Sequence, residues 1–477
     1  MNEKQVKEIT SRDTDFAQWY TDVCMKADLV DYSSVKGSMI IRPYGYALWE
    51  NMQNILDKEF KKTNHENIQM PMFIPESLLQ KEKDHVEGFA PEVAWVTHGG
   101  NNKLEERMCV RPTSETLFCD HFKKIISSYR DLPLLYNQWC TIVRWEKTTR
   151  PFLRTREILW QEGHTMHATK EDALNETLRM LKIYEDFQKN VLAIPVYTGK
   201  KSDKEKFAGA EETYSVEAMM YDGVALQNGT SHYFGQGFAK AFDIKFLNKE
   251  NKLEYPYQTS WGVTTRMIGS LIMVHGDDRG LVLPPRIAPY KVNIIPIGND
   301  DKINEVINEI TKDLDDTNIS YKVDNSNKSP GFKFAESEVK GYPIRIEIGK
   351  RDLEENSVTI VRRDTLEKIK VSISETVIKV NELLINIQND MYEKALKRRD
   401  SMTYNAKSKE EFIDFVKKPG FTYANWCGSE DCELKIKDLY GVKTRCIPFE
   451  NNKPDGDKKC VCCGKDATTK IYFGKQY

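Results

Sequence analysis

The sequence predicts an α+β protein of three units, and three observations carry that prediction. The chain has 477 residues, which at roughly 100–200 residues per domain suggests about three domains. Its texture changes along the way: residues up to about Pro289 are rich in Trp, Phe and Tyr and hold all eight histidines. The stretch from Leu281 to Tyr290, LVLPPRIAPY, then carries three prolines, which disfavour continued helix and mark a boundary. Finally, six of the ten cysteines (Cys427, Cys432, Cys446, Cys460, Cys462 and Cys463) crowd into the last stretch of chain. The units are therefore read as 1–286, 287–400 and 401–477.

In the first unit, Gly45–Phe60 reads as a helix, because Leu48, Met52, Ile55 and Leu56 recur on one face. Asn67–Ile74 follows as an apolar strand whose Pro71 points to a sheet edge or to a place where pairing stops. This pair is either ordinary core or a subunit interface. Thr141–Glu146 and Arg154–Trp160 read as two strands joined by a polar loop, Lys147 to Leu153. In the second unit Val292–Ile297, Ile319–Val323, Pro343–Ile348 and Ser357–Val361 read as strands, with helix over Lys302–Leu314 and Val371–Lys394. Strands alternating with helices imply a mixed sheet with helices on its faces. Beyond about Tyr404 comes the Cys-rich tail.

Composition excludes several classes. Seventy Lys+Arg against 72 Asp+Glu leave a net charge of −2, which rules out a bulk polycation but not a local basic groove. The chain is 40% apolar and 30% charged, as in a globular protein. No apolar run approaches the ~20 residues of a membrane span. The segment Met1–Gln5 leads into more charge, not into an apolar signal core, which argues for a cytoplasmic protein. Thiols there stay reduced, so clustered cysteines suggest metal before disulfide.

Four stretches look chemical. Arg144, Glu146, Arg154 and Arg156 alternate on the two predicted strands, so several guanidiniums would surround one cavity. Guanidinium grips phosphate oxygens through paired donors; a solvated, ion-paired hairpin is the plainer alternative. Arg111–Thr116 places hydroxyls beside Glu115, suited to a small ammonium or to an ordinary helix start capped by Thr113 or Ser114. Gln227–His232 is a small-residue loop that could line a pocket, though its single His could equally be structural. Arg266 opens an apolar run, Met267–Val274; turned inward it needs an anion, from a ligand or from a carboxylate of the protein. Neither GxxxxGK[ST] nor GxGxxG occurs, so a bound nucleotide must be held by arginines on an antiparallel sheet.

Taken together these pieces resemble class II aminoacyl-tRNA synthetases, and among them the prolyl-tRNA synthetase family of the archaeal/eukaryotic-like type. The matching text includes Val35–Gly37, Arg42–Trp49, Lys83–Phe89, Arg111–Thr116, Arg144–Glu146, Pro151–Arg154, Trp160–His164, Thr230–His232 and Val274–Asp277. The resemblance implies an antiparallel catalytic sheet with three motifs, an α/β anticodon-binding unit and a small α/β zinc-binding unit. It implies ATP with Mg²⁺, L-proline and tRNA(Pro) as partners, no membrane, and a homodimer through motif 1, the Gly45 helix and its strand. Proline's carboxylate would attack the α-phosphate of ATP, and the 3′-terminal adenosine would then take the prolyl group.

Residue by residue, the resemblance assigns Arg144 to the α-phosphate and the proline carboxylate, and Glu146 to the adenine amino group. Arg154 would meet the outer phosphates, and Arg266 would stack on adenine and touch the γ-phosphate. Thr113, Glu115 and His232 match the proline pocket, with Phe89 as a wall. Thr155, Gln227, Thr230 and Thr264 match nucleotide contacts. Glu338, Arg345, Arg351 and Asp352 match positions that read the anticodon guanines; surface ion pairs on a strand edge are the alternative. One departure is Ile158, where the family usually carries an aromatic that stacks on adenine. The short interval from Glu157 to Arg266 leaves no room for an editing insertion.

In the tail, Cys427-x4-Cys432 and Cys460-x-x-Cys463 suit a tetrahedral structural Zn²⁺, or stand as reduced thiols without metal. No His follows His275, so local ligands must be cysteines. Cys462 could replace Cys463, though family spacing favours Cys460 and Cys463; Cys446 reads as core. In related enzymes the terminal tyrosine, here Tyr477, reaches back toward the catalytic unit. Two rival classes, a non-catalytic tRNA-binding paralogue and a ligase acting on a carrier protein, would lack the motif arginines or the anticodon unit.

Overall fold

The structure, a computed structural model, describes residues 8–81 and 93–477. Phe89 and the rest of Lys83–Phe89 lie outside the described residues. The predicted helix is present as α1 (Pro43–Lys62), entered through Pro43 at its first position, where the missing N–H costs nothing. It buries Leu48, Trp49, Met52, Leu56 and Phe60, each worth ~1.5–3 kcal/mol. Phe60 packs against Trp261 at 5.1 Å between ring centroids. Trimming Met52 to Ala would remove ~2–5 kcal/mol.

The first unit is built on an eight-stranded sheet. Its long strands are β1 (Leu134–Val143), β2 (Glu157–His167), β3 (Val196–Lys200), β4 (Glu212–Met219), β5 (Ala225–Gly235) and β6 (Tyr257–Thr264). Their order is β3-β4-β5-β6-β2-β1 and every neighbouring pair is antiparallel. Helix α2 (Lys170–Asn190) covers one face, and α3 (Arg266–His275) follows directly on β6. Gly163 on β2 is required by close approach: a Cβ there would stand 2.1 Å from the Trp261 ring.

Two sequence expectations are corrected here. Asn67–Ile74 is not one strand; it splits into Glu66–Asn67, parallel to β1, and Phe73–Pro75. Pro71 breaks the ladder, and side chains satisfy the gap: Met70 N–H donates to Gln138 Oε1 at 3.0 Å, and the Arg111 guanidinium donates to the Met70 and Pro71 carbonyls. The second concerns the arginines. The ladder ends at the Val143–Glu157 pair, so Arg144, Glu146, Arg154 and Arg156 sit in the connecting loop, not on strands. Tertiary bonds shape that loop: Arg144 N–H donates to the Arg156 carbonyl at 2.9 Å, and Arg156 N–H to Gly37.

The second unit is the mixed sheet predicted. Val292–Ile297 lies parallel to Tyr321–Val323 and to Ile344–Gly349, and Ser357–Arg362 and Lys368–Ser372 continue antiparallel. Its flanking helices are α4 (Asp301–Asp316), α5 (Pro330–Lys340) and α6 (Thr376–Ser401). The predicted helix from Val371 therefore begins at Thr376 and ends later, because Lys368–Ser372 forms the sheet's edge strand.

The third unit has a four-stranded sheet built from Thr403–Ala406, Phe421–Trp426, Thr469–Gly474 and Lys443–Thr444, with helix α7 (Glu430–Tyr440). It reaches into the catalytic sheet. Ile447–Pro448 pairs with β3, and Tyr477 N–H donates to the Ala225 carbonyl. No helix among the described residues is long and apolar enough to cross a membrane.

Candidate active site

A cavity of about 210 Å³ opens on β2, β5 and β6 and is closed by the loop before β2 and the start of α3. Thr113, Glu115, Arg144, Thr155, Gln227, Thr230, His232, Thr264 and Arg266 all line it. Arg154 lines the adjoining cavity of about 300 Å³, which shares Arg266 and Leu153. Glu146 accepts from Arg154 at 3.5 Å, beside these cavities.

One end of the cavity is carboxylate-rich. Thr113 Oγ1 donates to Glu115 Oε2 at 2.6 Å, and Ser260 Oγ to its other oxygen at 3.4 Å. Both Thr113 and Glu115 are buried. The helix-cap alternative holds only in position: Ser114 is the residue before the helix Glu115–Ile125 but caps no N–H with its side chain. Its hydroxyl donates instead to Glu162 Oε1 at 2.5 Å. A buried carboxylate facing a cavity favours a bound ammonium.

His232 faces the same space. Thr213 Oγ1 accepts from Phe207 N–H at 2.9 Å and shares a hydrogen bond with His232 Nδ1 at 3.0 Å. When the Thr213 hydroxyl donates this bond, the neutral ring carries its proton on Nε2, toward the cavity. Burial, with His164 adding, pushes the His232 pKa down to about 3, so the ring is uncharged at neutral pH. Gln227–His232 is not the loop the sequence suggested but the middle of β5, paired on both sides, and its glycine serves packing: a Cβ on Gly229 would meet Val263 at 3.0 Å and Tyr184 at 3.3 Å.

The other end is basic. Arg266 N–H donates to Thr264 Oγ1 at 3.0 Å, and its guanidinium donates to the carbonyls of Leu153 (3.4 Å) and Gln227 (3.2 Å). No carboxylate among the described residues pairs with it. Burial first, then the charges of Arg144 and Arg154, push its pKa down to about 10. Three guanidiniums thus converge and repel one another, a field that a polyphosphate would relieve. Arg144 donates to the Pro112 carbonyl at 3.2 Å and lies over the Trp160 ring. Thr155 Oγ1 donates to the Glu157 carbonyl at 2.6 Å, and Ile158 also lines the cavity.

Sequence reasoning by residue type missed Glu162 and His164, which form the cavity floor. Glu162 accepts from His164 Nε2 at 2.8 Å, Ser114 and Gln138. Burial opposes ionisation, but those hydrogen bonds win and hold its pKa below the usual carboxylate range. Trp160, Glu162 and His164 alternate along β2, and that period of two was the available signal.

Far from this cavity, the Sγ atoms of Cys427, Cys432, Cys460 and Cys463 all lie within 4.8 Å of one another. Cys427 stands 3.6 Å from Cys432 and 3.9 Å from Cys463, against an edge of about 3.8 Å for a tetrahedron with Zn–S near 2.3 Å. Gly464, at φ +71°, closes the turn that brings Cys460 and Cys463 together. Cys462 falls outside the quartet, and Cys446 is buried core.

Sequence comparison matches residues 95–275 to the tRNA synthetase class II core domain (G, H, P, S and T). Residues 291–383 match an anticodon binding domain, and 409–477 the prolyl-tRNA synthetase C-terminal domain. A proline–tRNA ligase of Clostridium novyi (strain NT) is 60% identical, over 99% of each chain. The chain belongs to the proline–tRNA ligase family. Its members are class II aminoacyl-tRNA synthetases. Proline–tRNA ligase 2 of Bacillus thuringiensis (strain Al Hakam) is 58% identical over the full length of both chains. The crystal structure of prolyl-tRNA synthetase from Cryptosporidium parvum, complexed with halofuginone and AMPPNP, superposes with a TM-score of 0.94 at 41% identity, covering 98% of this chain and 99% of that one.

The anticodon candidates fall into two pairs. Glu338 lies on α5, not on a strand edge, and accepts from the buried Arg345 at 3.2 Å. Arg351 and Asp352 follow on the short helix Lys350–Glu354, where Asp352 accepts from Gly349 N–H at 2.9 Å and Thr359 at 3.3 Å.

Proposed function

We propose that the cavity activates L-proline with ATP and passes the prolyl group to the 3′-terminal adenosine of tRNA(Pro). The observation that carries this reading is Arg266, held only by carbonyls and with its pKa lowered, beside Arg144 and Arg154 and facing a neutral His232 and a buried Glu115. Glu115 and Thr113 hold the ring ammonium of proline. The Nε2–H of His232 and the Arg144 guanidinium orient its carboxylate. A carboxylate oxygen attacks the α-phosphorus, the bond to the β-phosphate oxygen breaks, and pyrophosphate leaves. Such a displacement needs positioning and charge neutralisation more than a covalent nucleophile. Arg144 neutralises the α-phosphate, and Arg154 and Arg266 the outer phosphates. Arg266 and Ile158 cover the adenine, while Glu146 leaves Arg154 to accept from the adenine amino group. Thr155, Gln227, Thr230 and Thr264 complete the nucleotide contacts. Mg²⁺ bound with ATP supplies further charge neutralisation.

Four thiolates at tetrahedral spacing would hold a structural Zn²⁺, far from the chemistry. Glu338, Arg345, Arg351 and Asp352 meet the anticodon. The catalytic unit runs over 1–286, the anticodon unit over 287–400 and the zinc unit over 401–477. A homodimer forms through α1 and the neighbouring strand, where Met72 and Phe73 stand exposed, and the enzyme works in the cytoplasm. Without an editing insertion, the enzyme does not clear alanyl-tRNA(Pro). Pyrophosphate exchange across a panel of amino acids, followed by charging of tRNA(Pro), tests the reading. Exchange that is equally fast without proline defeats it, and sedimentation as a monomer defeats the dimer.

A further inference from the structure

Glu338 divides its carboxylate between two units. Oε1 accepts from Arg345 of its own sheet at 3.2 Å, while Oε2 accepts from Arg279 of the catalytic unit at 2.6 Å. Arg279 also donates its backbone N–H to Asp277 Oδ1 at 2.9 Å. Asp277 in turn takes both terminal nitrogens of Arg363, at 2.6 and 2.8 Å, and Arg363 Nε returns to the Glu338 carbonyl at 2.8 Å. The four residues form a closed ring of charge-assisted bonds across the junction, the strong kind of polar contact. Asp277 stands two residues beyond α3, whose first residue is Arg266. Helix α3 is buried along Met267–Val274, so a displacement at its end is carried through a packed rod of about 15 Å.

We propose that Arg279 and Glu338 are positioning residues that couple base recognition on the second unit to the placement of Arg266 in the active site. The inference rests on the reading of Glu338 and Arg345 as anticodon contacts. A guanine edge that engages Arg345 and Glu338 Oε1 redistributes the carboxylate's hydrogen bonds, and the second oxygen passes the change to Arg279 and hence to Asp277. The shared carboxylate has two arrangements, base-free and base-engaged, which is what coupling between distant sites requires. Neither Arg279 nor Asp277 touches proline or ATP in this scheme.

The test uses full-length Arg279→Gln and Arg279→Lys proteins. Pyrophosphate exchange is measured without tRNA, and charging is measured with native tRNA(Pro) and with transcripts carrying adenine for each anticodon guanine. Exchange should stay within about twofold of the unsubstituted enzyme. Charging kcat for native tRNA should fall about tenfold in Arg279→Gln, within the usual range of coupling between sites. The kcat for the anticodon-altered transcripts should not change, so the anticodon's effect on kcat shrinks while its effect on KM remains. Arg279→Lys, which keeps one charged donor, should recover part of the loss. Equal losses for native and altered transcripts, or a matching loss in exchange, would overturn the coupling. An unsubstituted enzyme that charges altered transcripts as well as native ones would instead overturn the anticodon reading beneath it.

Discussion

Replacing Thr213 with Val keeps the shape of the β4 side chain and removes one hydroxyl that serves two buried partners. In the structure that oxygen accepts from Phe207 N–H at 2.9 Å and lies 3.0 Å from His232 Nδ1, to which it donates in the proposed proline-binding state. Each partner left unsatisfied costs ~1–3 kcal/mol, so stability should fall by ~2–6 kcal/mol. The effect on proline is separable. With Nδ1 no longer held, the imidazole populates both neutral tautomers, and only the one protonated on Nε2 donates to the proline carboxylate. With each tautomer holding about half the population, the binding-competent fraction halves, which raises the proline KM about twofold. Proline-dependent pyrophosphate exchange at saturating ATP measures it, with Thr213→Ser as the variant that keeps the hydroxyl. A proline KM unchanged in Thr213→Val, or an ATP KM rising in step with it, would refute the tautomer argument.

Other outcomes follow from the same geometry. Ile158→Phe gains a ring against the adenine and should lower the ATP KM several-fold, ~0.5–1.5 kcal/mol of stacking; an unchanged ATP KM sinks that assignment. Cys432→Ser should abolish zinc measured by atomic absorption and lower the melting temperature, while exchange per folded molecule stays close to that of the unsubstituted enzyme. Burial holds His232 and His275 near pKa 3 and His167 near 4, below the ~6.5 of an unfolded chain. Below pH 6.5 the unfolded state therefore binds protons that the native state refuses. Each histidine removes ~1.4 kcal/mol of stability per pH unit in that window, a slope that urea titrations at pH 7, 6 and 5 should resolve; a flat profile contradicts the neutral burials.

What could be read from residues alone followed local pattern. Leu48, Met52 and Leu56 announced α1, and Val292–Ile297 announced a strand, because burial on one face leaves a period in the sequence. The loop carrying Arg144 and Arg154 misled, since alternating Arg and Glu imitates a strand. Its path is set by Gly37, over a hundred residues away in sequence. Val371 misled differently: an edge strand and the long helix after it merge into one apolar stretch. Glu338, for which a strand edge was only the alternative reading, sits on α5 facing Arg279, a contact between units with no local trace. The converging guanidiniums were foreseen as types but not as neighbours of an uncharged His232, because tautomer and burial belong to the folded state.

The pairing of Ile447–Pro448 with β3, and of Tyr477 with Ala225, has a bearing on synthesis. When the first 290 residues have left the ribosome, the catalytic sheet has its nucleus but lacks the strand that closes its β3 side. That open edge waits for the chain's last segment, and open edges recruit other chains. The nascent enzyme is therefore most exposed to aggregation during translation of its second unit, so chaperone occupancy should peak there and fall once the cysteine-rich unit docks.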